Sequence, residues 1–323
     1  MTPDFIEPLS HGICAIDTGF VRPRFDAAYL VVDAGRAAFI DCGLNSSVPR
    51  LLAALQTQGL SVDAVDWVIP THVHLDHAGG AGLLMQQLPN ATLLAHPRGA
   101  PHLIDPSALI YGASEVYGAD EVARTYGTIL PVPAERVQAS SDGQRIALGG
   151  RELLLIDTPG HARHHHCIWD EASRGWFTGD TFGISYPECE APLGRYIFPT
   201  STPVQFEPDA LHESVRRMLE REPLWMYPTH YGRIGGSAAE VQRLAALLLA
   251  QAAAMAQTAR ELAAAPDRHT ALMTRLAALY REQWQALGAP LTAAAIEALL
   301  VVDIELNAQG LGVWLDRGAK GRA

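Results

Sequence analysis

The segment PTHVHLDHAGG, residues 70–80, restricts the fold of this chain more than any other stretch of its 323 residues. It holds three histidines and an aspartate within six positions, at the end of the short apolar run VDWVIP (65–70) and just before paired glycines. Such a run predicts a buried strand, and open α/β sheets usually place their chemistry at the carboxyl ends of strands. A single histidine there would be an ordinary core residue, whereas four potential ligands in one turn predict a metal-binding loop.

The spacing of these four side chains indicates two ions that share one loop. His72 and His74 lie two positions apart, so their imidazoles can converge on one ion from a strand end or an extended turn. Asp76 and His77 can face a second ion. Imidazole and carboxylate donors without thiolate suit zinc, and they also suit manganese or iron, so the donor set leaves the metal identity open.

Short apolar runs and helical segments alternate through the first 235 residues. AAYLVV (27–32) and AAFIDCG (37–43) read as two strands around a turn, and VPRLLAALQTQG (48–59) reads as a helix that ends on a glycine. Further short strands follow, among them RELLLIDTPG (151–160) and GWFTGD (175–180). This alternation predicts an α/β fold for the first part of the chain.

The composition changes after Gly235 and Gly236, where the chain becomes rich in alanine and leucine. Ser237 and Glu240 are spaced as in a capping box, and apolar residues then recur at helical spacing through two long segments. We therefore predict two domains, a catalytic unit over residues 1–236 and an all-helical extension over residues 237–323. An amphipathic, alanine-rich surface usually packs against protein, so the extension is predicted to be a lid, a brace or a homodimer contact.

Charge and composition argue against several classes of partner. The formal net charge of -11 disfavours nucleic acid, because affinity for phosphate backbones comes largely from clustered lysine and arginine. No uninterrupted apolar run approaches the ~20 residues that span a bilayer, so we expect no membrane partner. The amino-terminal residues MTPDFIEPLSHG do not resemble a secretory signal, which predicts a cytoplasmic protein. The four cysteines are scattered and form no CxxC pair, which predicts reduced structural thiols.

The histidine-rich loop THVHLDHAGG resembles the HxHxDH signature of the metallo-β-lactamase fold superfamily. The resemblance covers about residues 25–235 and implies a four-layer αβ/βα sandwich, followed here by the all-helical extension. Three later segments match the remaining ligand positions of that superfamily, with His161 in IDTPGH, Asp180 in WFTGDTF and His230 in YPTHYG. Because position 180 is aspartate and not cysteine, the pattern is similar to the hydroxyacylglutathione hydrolase branch.

The resemblance also implies how two divalent ions are held, with zinc expected first and iron or manganese as alternatives. The first ion is assigned to three imidazoles, those of His72, His74 and His161. The second ion is assigned to a carboxylate and two imidazoles, those of Asp76, His77 and His230. Asp180 is expected to lie between the two ions. Flavodiiron members of the superfamily carry glutamate where this chain has His74, so a redox role is not favoured.

Hydrolysis is the activity that the resemblance implies. A pair of bound ions supplies a bridging hydroxide as nucleophile near neutral pH, so no serine triad is required. Asp76 is expected to orient that nucleophile and to take part in catalysis. By similarity to members with a helical appendage, we expect a thioester or another ester of a small molecule as substrate. A phosphodiesterase or lactonase with the same centre, or a non-catalytic metal-bound ligand sensor, remains open as an alternative.

A long loop supplies further candidate substrate contacts. Residues 181–208 are rich in proline and aromatic side chains, and long loops in compact domains are usually functional or disordered. Tyr186, Tyr196 and Phe198 could form the wall of a pocket over the metals. The same residues could instead pack the helical extension against the catalytic unit.

The run HARHHHC places three more histidines beyond the assigned ligand. Alternation along a following strand would point His164 and His166 to one face and His165 to the other. We take His165 as a candidate substrate contact, although all three could be strand histidines without a chemical role. Asp41, at the end of AAFID, could accept a hydrogen bond from a ligand imidazole, because metal-bound histidines usually need an acceptor for the other ring nitrogen. A plain turn aspartate fits that position equally well.

Overall fold

The computed structural model describes residues 2–201 and 205–320, and over these residues the strands form two mixed sheets. In chain order the strands are β1 (Ile6–Pro8), β2 (Ile13–Asp17), β3 (Ala27–Asp33), β4 (Arg36–Ile40), β5 (Val65–Ile69), β6 (Thr92–Ala95), β7 (Val137–Ala139), β8 (Arg145–Leu148), β9 (Arg151–Asp157), β10 (His166–Asp170), β11 (Gly175–Gly179), β12 (Trp225–Pro228) and β13 (Ile234–Gly235). The first sheet runs in chain order from β1 to β7, and the second runs β13-β12-β11-β10-β9-β8.

Helices cover the outer faces of both sheets and continue beyond them. In chain order the helices are α1 (Val48–Thr57), α2 (Leu75–Ala78), α3 (Ala81–Gln87), α4 (Ala100–Ile104), α5 (Ser107–Tyr117), α6 (Ala119–Tyr126), α7 (Pro208–Leu219), α8 (Ala238–Glu261), α9 (Arg268–Ala286), α10 (Ala293–Leu299) and α11 (Val301–Lys320). Buried apolar residues of α1, α3 and α4 pack on the first sheet. Those of α7 and α8 pack on the second sheet. The predicted four-layer α/β sandwich is therefore confirmed.

Parallel pairing in the first sheet brings polar loops to one edge. The β3–β4 hairpin closes through Ala34 and Gly35, whose φ values of 46° and 77° match the type I′ turn that suits the twist of a hairpin. β4 and β5 run parallel, so their carboxyl ends lie side by side. Asp41 follows the first of these strands, and the histidine-rich loop 70–80 follows the second.

The second sheet brings three more loops to the same end of its strands. β11 and β12 run parallel and pair Gly179 with Pro228, so the residues that follow leave together. β10 is antiparallel to both β9 and β11, so the carboxyl end of β9 lies at that end as well. Between the sheets the ring of Tyr29 meets that of Phe177 edge to face at 5.2 Å, and the hydroxyl of Tyr29 donates to the carbonyl of Pro228 at 2.6 Å. These contacts hold the strand ends of the two sheets in a fixed position relative to each other.

The helical extension begins as the sequence predicts. Ser237 precedes α8, and its side chain accepts a hydrogen bond from the backbone N–H of Glu240 at 3.2 Å. α8 packs on the second sheet, while α9 and α11 form a core with aromatic residues of the loop between β11 and α7. The division into two domains at residue 236 stays a prediction, because α8 shares its apolar contacts with both parts of the chain.

Within residues 2–201 and 205–320, no single helix is long and apolar enough to cross a bilayer. α10 and α11, as far as Ala319, pass that length and composition test only together, and they meet at a bend of 64°.

The four cysteines are free and buried, as their scattered positions predict. Burial raises the pKa of each thiol, to about 12 in the case of Cys167. Because the thiolate is the reactive form, we expect the native protein not to react with an aromatic disulfide reagent at mildly alkaline pH. All four cysteines should react after denaturation. Rapid labelling of any cysteine in the native protein would contradict this packing.

Candidate metal centre

The carboxyl ends of four strands carry all seven of the predicted ligands. The loop after β5 supplies four of them, and His74 lies at the amino end of the short helix α2. His161 follows β9, Asp180 follows β11, and His230 follows β12. The two sheets thus bring side chains that are up to 158 positions apart in the chain, from His72 to His230, to a common edge.

Three imidazoles meet at one side of this edge. Nδ1 of His74 lies 2.8 Å from Nε2 of His72 and 3.2 Å from Nε2 of His161. Tetrahedral zinc with bonds of roughly 2.0–2.1 Å places its donor nitrogens about 3.3 Å apart, so this triangle is close to the size that a cation requires. The first predicted ligand group is therefore assembled in the structure.

A carboxylate and two imidazoles form the second group. Oδ2 of Asp76 lies 3.4 Å from Nε2 of His230 and 3.7 Å from Nε2 of His77. The ligand atoms of these three residues lie within 4.8 Å of one another, which is close enough to hold one metal ion. The second predicted group is also assembled.

Asp180 lies between the two groups and directs one oxygen to each. Its Oδ1 is 3.4 Å from Nε2 of His77 and 3.7 Å from Nε2 of His230, and its Oδ2 is 3.3 Å from Nε2 of His161. A carboxylate in this orientation can bind two cations at once, as the resemblance led us to expect.

Two buried atoms of the cluster lack a hydrogen-bond partner among the described residues, and they show that the site suits a cation. These atoms are Nε2 of His77 and Oδ1 of Asp180. An unsatisfied buried polar group costs about 1–3 kcal/mol, more when it is charged. Carboxylate and imidazole donors that converge on a small volume satisfy this requirement together when a divalent cation binds there.

The ionisation states differ between the two ligand groups. Burial, together with neighbouring imidazoles, lowers the pKa of His72 and His74 well below the ordinary value, so both are neutral at pH 7. Burial opposes ionisation of Asp180, but the adjacent imidazoles of His77, His161 and His230 hold its pKa well below the usual range. Burial also opposes protonation of His77 and His230, but the neighbouring carboxylates raise the pKa of His77 well above its ordinary value and that of His230 to about 10. Because metal binds the neutral imidazole, a cation bound here would displace a proton from each of these two rings.

Hydrogen bonds behind the ligands fix their ring orientation. Asp41 accepts from Nδ1 of His77 at 2.9 Å, from the backbone N–H of Thr71 at 2.7 Å and from the hydroxyl of Thr229 at 2.7 Å. It is therefore a partner of a proposed ligand and not a plain turn residue. With Nδ1 donating to Asp41, Nε2 of His77 is left free to bind a cation.

Two backbone carbonyls perform the same task for other ligands. Nδ1 of His230 donates to the carbonyl of Phe25 at 3.1 Å, and Nδ1 of His161 donates to the carbonyl of Thr200 at 3.1 Å. Sequence reasoning missed both contacts because every residue has a carbonyl and no side-chain pattern marks the one that is used. The distance in the chain between each carbonyl and its ligand follows no pattern that would have predicted these contacts.

The histidine triplet after His161 divides into separate roles. His165 is fully buried, and its Nε2 accepts from the backbone N–H of Asp180 at 3.2 Å while its Nδ1 lies 3.0 Å from the hydroxyl of Thr158. It therefore orients Asp180 and has no surface with which to contact a substrate. His166 lies 2.8 Å from the carbonyl of Pro70 through Nε2 and so braces the start of the metal-binding loop.

His164 differs from its two neighbours. Its ring centroid lies 5.4 Å from that of His74, and its Nδ1 is buried without a hydrogen-bond partner among the described residues. Burial lowers its pKa to about 3, so the ring is neutral. His164 is thus the member of the triplet that packs beside a proposed ligand ring.

The aromatic residues predicted to wall a pocket are instead packed inside the protein. Tyr186, Tyr196 and Phe198 each have 0% of their surface exposed. Tyr196 stacks on Trp284 at 5.1 Å, and the hydroxyl of Tyr186 donates to Asp303 at 3.1 Å. The structure corrects the prediction of substrate contact and confirms the alternative, because these side chains join the loop to the helical extension and present no free surface.

A glycine is required beside Asp180. Gly179 has φ of +47°, and a Cβ atom at this position would lie 2.4 Å from Oγ1 of Thr71 and 2.6 Å from Nε2 of His165. Both contacts are shorter than any real Cβ tolerates. The close approach lets β11 deliver Asp180 to the cluster.

Comparison with known proteins identifies the family. The sequence model of the Metallo-beta-lactamase superfamily matches residues 21–230. The chain belongs to this superfamily. The match extends to the last of the proposed ligands, His230, and ends before the helical extension.

Curated relatives within the superfamily are distant. The metallo-beta-lactamase fold-containing protein ST1585 of Sulfurisphaera tokodaii is 26% identical over 228 residues, which is 69% of this chain and 79% of that protein. Human acyl-coenzyme A thioesterase MBLAC2 is 31% identical over 169 residues, 47% of this chain. Hydroxyacylglutathione hydrolase of Xanthomonas axonopodis pv. citri is 33% identical over 162 residues, 49% of this chain. The alignments span 56% and 48% of these two proteins, so the chain matches only about half of each.

A solved structure shows that the fold is shared beyond the matched region. The crystal structure of ST1585, described as from Sulfolobus tokodaii, aligns with a TM-score of 0.64 at 22% identity. The alignment covers 94% of this chain and 99% of that one.

Substitution of Asp41 by asparagine tests the support of the ligand His77. Asp41→Asn replaces the oxygen that accepts from Nδ1 of His77 by an amide donor, so the imidazole loses its partner. We expect metal affinity to fall roughly 10- to 100-fold, as is typical for such outer partners. Competition with a chromophoric chelator measures this change.

The matched control is Asp33→Asn. This aspartate also accepts a backbone N–H, that of Gly150, but it lies at the turn between β3 and β4. Its metal affinity should equal that of the wild type. Equal affinity of the Asp41 variant and the wild type would contradict the role given to Asp41.

Proposed function

We propose that this protein is a hydrolase that uses two divalent metal ions, zinc first among them, to cleave a thioester bond of a small molecule. One observation carries the proposal, namely the convergence of seven metal-binding side chains from four strand ends with Asp180 between the two groups. The arrangement buries Nε2 of His77 and Oδ1 of Asp180 without a hydrogen bond in the described part of the chain, and such burial is unfavourable unless a further group compensates for it.

The side chains present define what each cation would do. His72, His74 and His161 would hold the first ion. The second would be held by Asp76, His77 and His230. When bound, such a pair lowers the pKa of a water to about 7, polarises a carbonyl oxygen and stabilises a leaving group.

Asp76 is the carboxylate that we expect to accept a proton from the attacking water. Its side chain is 22% exposed, whereas that of Asp180 is 7% exposed, so Asp76 faces the open side of the cluster. Its Oδ2 points to His230, which leaves Oδ1 available to the attacking water. Asp76 therefore orients the water and accepts its proton.

The bonds of the reaction balance without a further reactant. The oxygen of water forms a bond to the thioester carbonyl carbon, and the bond from that carbon to sulfur breaks. The proton held by Asp76 passes to the departing thiolate, so the products are a carboxylic acid and a thiol. No serine or cysteine nucleophile is involved, which agrees with the burial of all four cysteines.

Two lines of support favour a thioester over a phosphodiester. One relative is named for acyl groups on coenzyme A and another for acyl groups on glutathione. In addition, two arginines that could contact a phosphate have acidic partners, since Arg163 pairs with Glu207 and Arg195 pairs with Glu190. A positive charge neutralised in this way is poorly placed to bind a phosphate group.

Hydrolysis of acyl-coenzyme A and acyl-glutathione thioesters, followed by release of free thiol, tests the proposal. Protein stripped with a chelator should be inactive, and protein reloaded with zinc should be active. Asp76→Asn should lower kcat/KM by roughly 10²- to 10⁴-fold, the range associated with loss of an acid–base group. Metal content is measured on the same samples, because Asp76 is also a proposed ligand.

The matched control is Asp63→Asn, an exposed carboxylate just before β5, at the opposite end of that strand from the metal-binding loop. Its activity should equal that of the wild type. No thiol release from zinc-loaded protein would contradict the thioesterase proposal. Hydrolysis of lactones or phosphodiesters by the same sample would then assign a different bond to the centre, and absence of all turnover with ligand binding intact would indicate a sensor.

A further inference from the structure

Two buried amide side chains tie the aromatic loop to the helical extension. One belongs to Gln251 on α8 and the other to Asn307 on α11, and both are 0% exposed. Their hydrogen bonds reach different parts of the loop between β11 and α7. The two amides can therefore be compared, because both hold the loop but only the bonds of Asn307 lie next to a residue that contacts the metal centre.

Asn307 uses its full hydrogen-bonding capacity on both sides of one residue. Its Oδ1 accepts from the backbone N–H of Ser201 at 2.6 Å and from the hydroxyl of the same residue at 3.0 Å. Its Nδ2 donates to the carbonyl of Pro199 at 3.1 Å and to the hydroxyl of Tyr280 at 2.7 Å. An amide can make two bonds at its oxygen and two at its nitrogen, so this one is satisfied completely.

The residue held between these bonds contacts a proposed metal ligand. Thr200 lies between Pro199 and Ser201, and its carbonyl accepts from Nδ1 of His161 at 3.1 Å. That bond orients the ring so that Nε2 of His161 points towards His74 and Asp180. The position of this donor nitrogen thus depends on a loop segment that Asn307 clamps on both sides.

We propose that Asn307 is a positioning residue for the metal centre, through which the carboxyl-terminal helix sets the orientation of His161. The inference rests on the proposed function, because it requires His161 to bind a metal ion. It gives the helical extension a part in assembling the site that is separate from any role as lid or dimer contact. Partners one step behind a ligand typically change metal affinity by roughly 10- to 100-fold, which sets the expected effect.

Gln251 provides the matched comparison. Its Oε1 accepts from the hydroxyl of Tyr196 at 2.6 Å, and its Nε2 donates to the carbonyl of Ile197. It is as buried as Asn307 and binds the same loop, but neither of its partners is next to Thr200 in the chain. If both amides only stabilise the loop, replacing either one should have the same effect on zinc affinity.

The experiment compares zinc binding by wild type, Asn307→Leu and Gln251→Met, each an apolar replacement of similar size. Chelator competition measures the two dissociation constants, and thermal denaturation of the metal-free proteins measures stability. We expect both variants to lose stability. We expect only Asn307→Leu to bind one of the two ions 10- to 100-fold more weakly, with the other ion little affected.

If Asn307→Leu does not fold, Asn307→Asp replaces it, since aspartate keeps the bonds to Ser201 and loses the donor to Pro199. It should weaken binding of the same ion by a smaller factor. Unchanged zinc affinity in the Asn307 variant, or an equal loss of zinc affinity in the Gln251 variant, would overturn the inference. Zinc binding by the wild type would leave the proposed function standing in either case. Wild-type protein that binds no zinc would overturn both.

Discussion

The structure depends on one constraint, the meeting of strand ends from two sheets around a buried group of charged side chains. Removing carboxylates and imidazoles from water is unfavourable unless each atom finds a partner. Asp41 finds its partners within the chain, whereas Nε2 of His77 and Oδ1 of Asp180 find no hydrogen bond among the described residues. A bound cation supplies the missing interactions, so metal binding and the stability of this edge are linked. The sheets, the inter-sheet contact of Tyr29 with Phe177 and the tight contact at Gly179 all hold the cluster to that geometry.

Part of the site could be predicted from the sequence alone, because the histidine-rich loop follows the apolar run VDWVIP. The later ligands His161, Asp180 and His230 could be assigned only through the resemblance to the superfamily. The start of the extension was also predictable, because Ser237 and Glu240 form a local capping pattern that needs no distant contact. These features depend on residues that are close in the chain, where spacing determines geometry.

The features that could not be predicted depend on residues distant in the chain. The sequence left open whether Tyr196 and Phe198 line a pocket or pack the extension, because their partners Trp284 and Tyr280 lie more than 80 positions later in the chain. The carbonyl of Thr200 leaves no trace in any side-chain pattern. The sequence therefore predicts the helical extension as a separate unit. In the structure, Asn307 of the extension binds the loop residues on both sides of Thr200, whose carbonyl contacts the proposed ligand His161.

The central claim is that this edge of the sandwich holds two divalent cations. Anomalous diffraction at the zinc absorption edge, from crystals of zinc-loaded protein, tests it most directly because it locates each metal ion without reference to activity. The account predicts two peaks, one between His72, His74 and His161 and the other between Asp76, His77 and His230. Asp180 should lie within bonding distance of both peaks. Absence of any peak in this cluster, or peaks confined to other surfaces of the protein, would contradict the account.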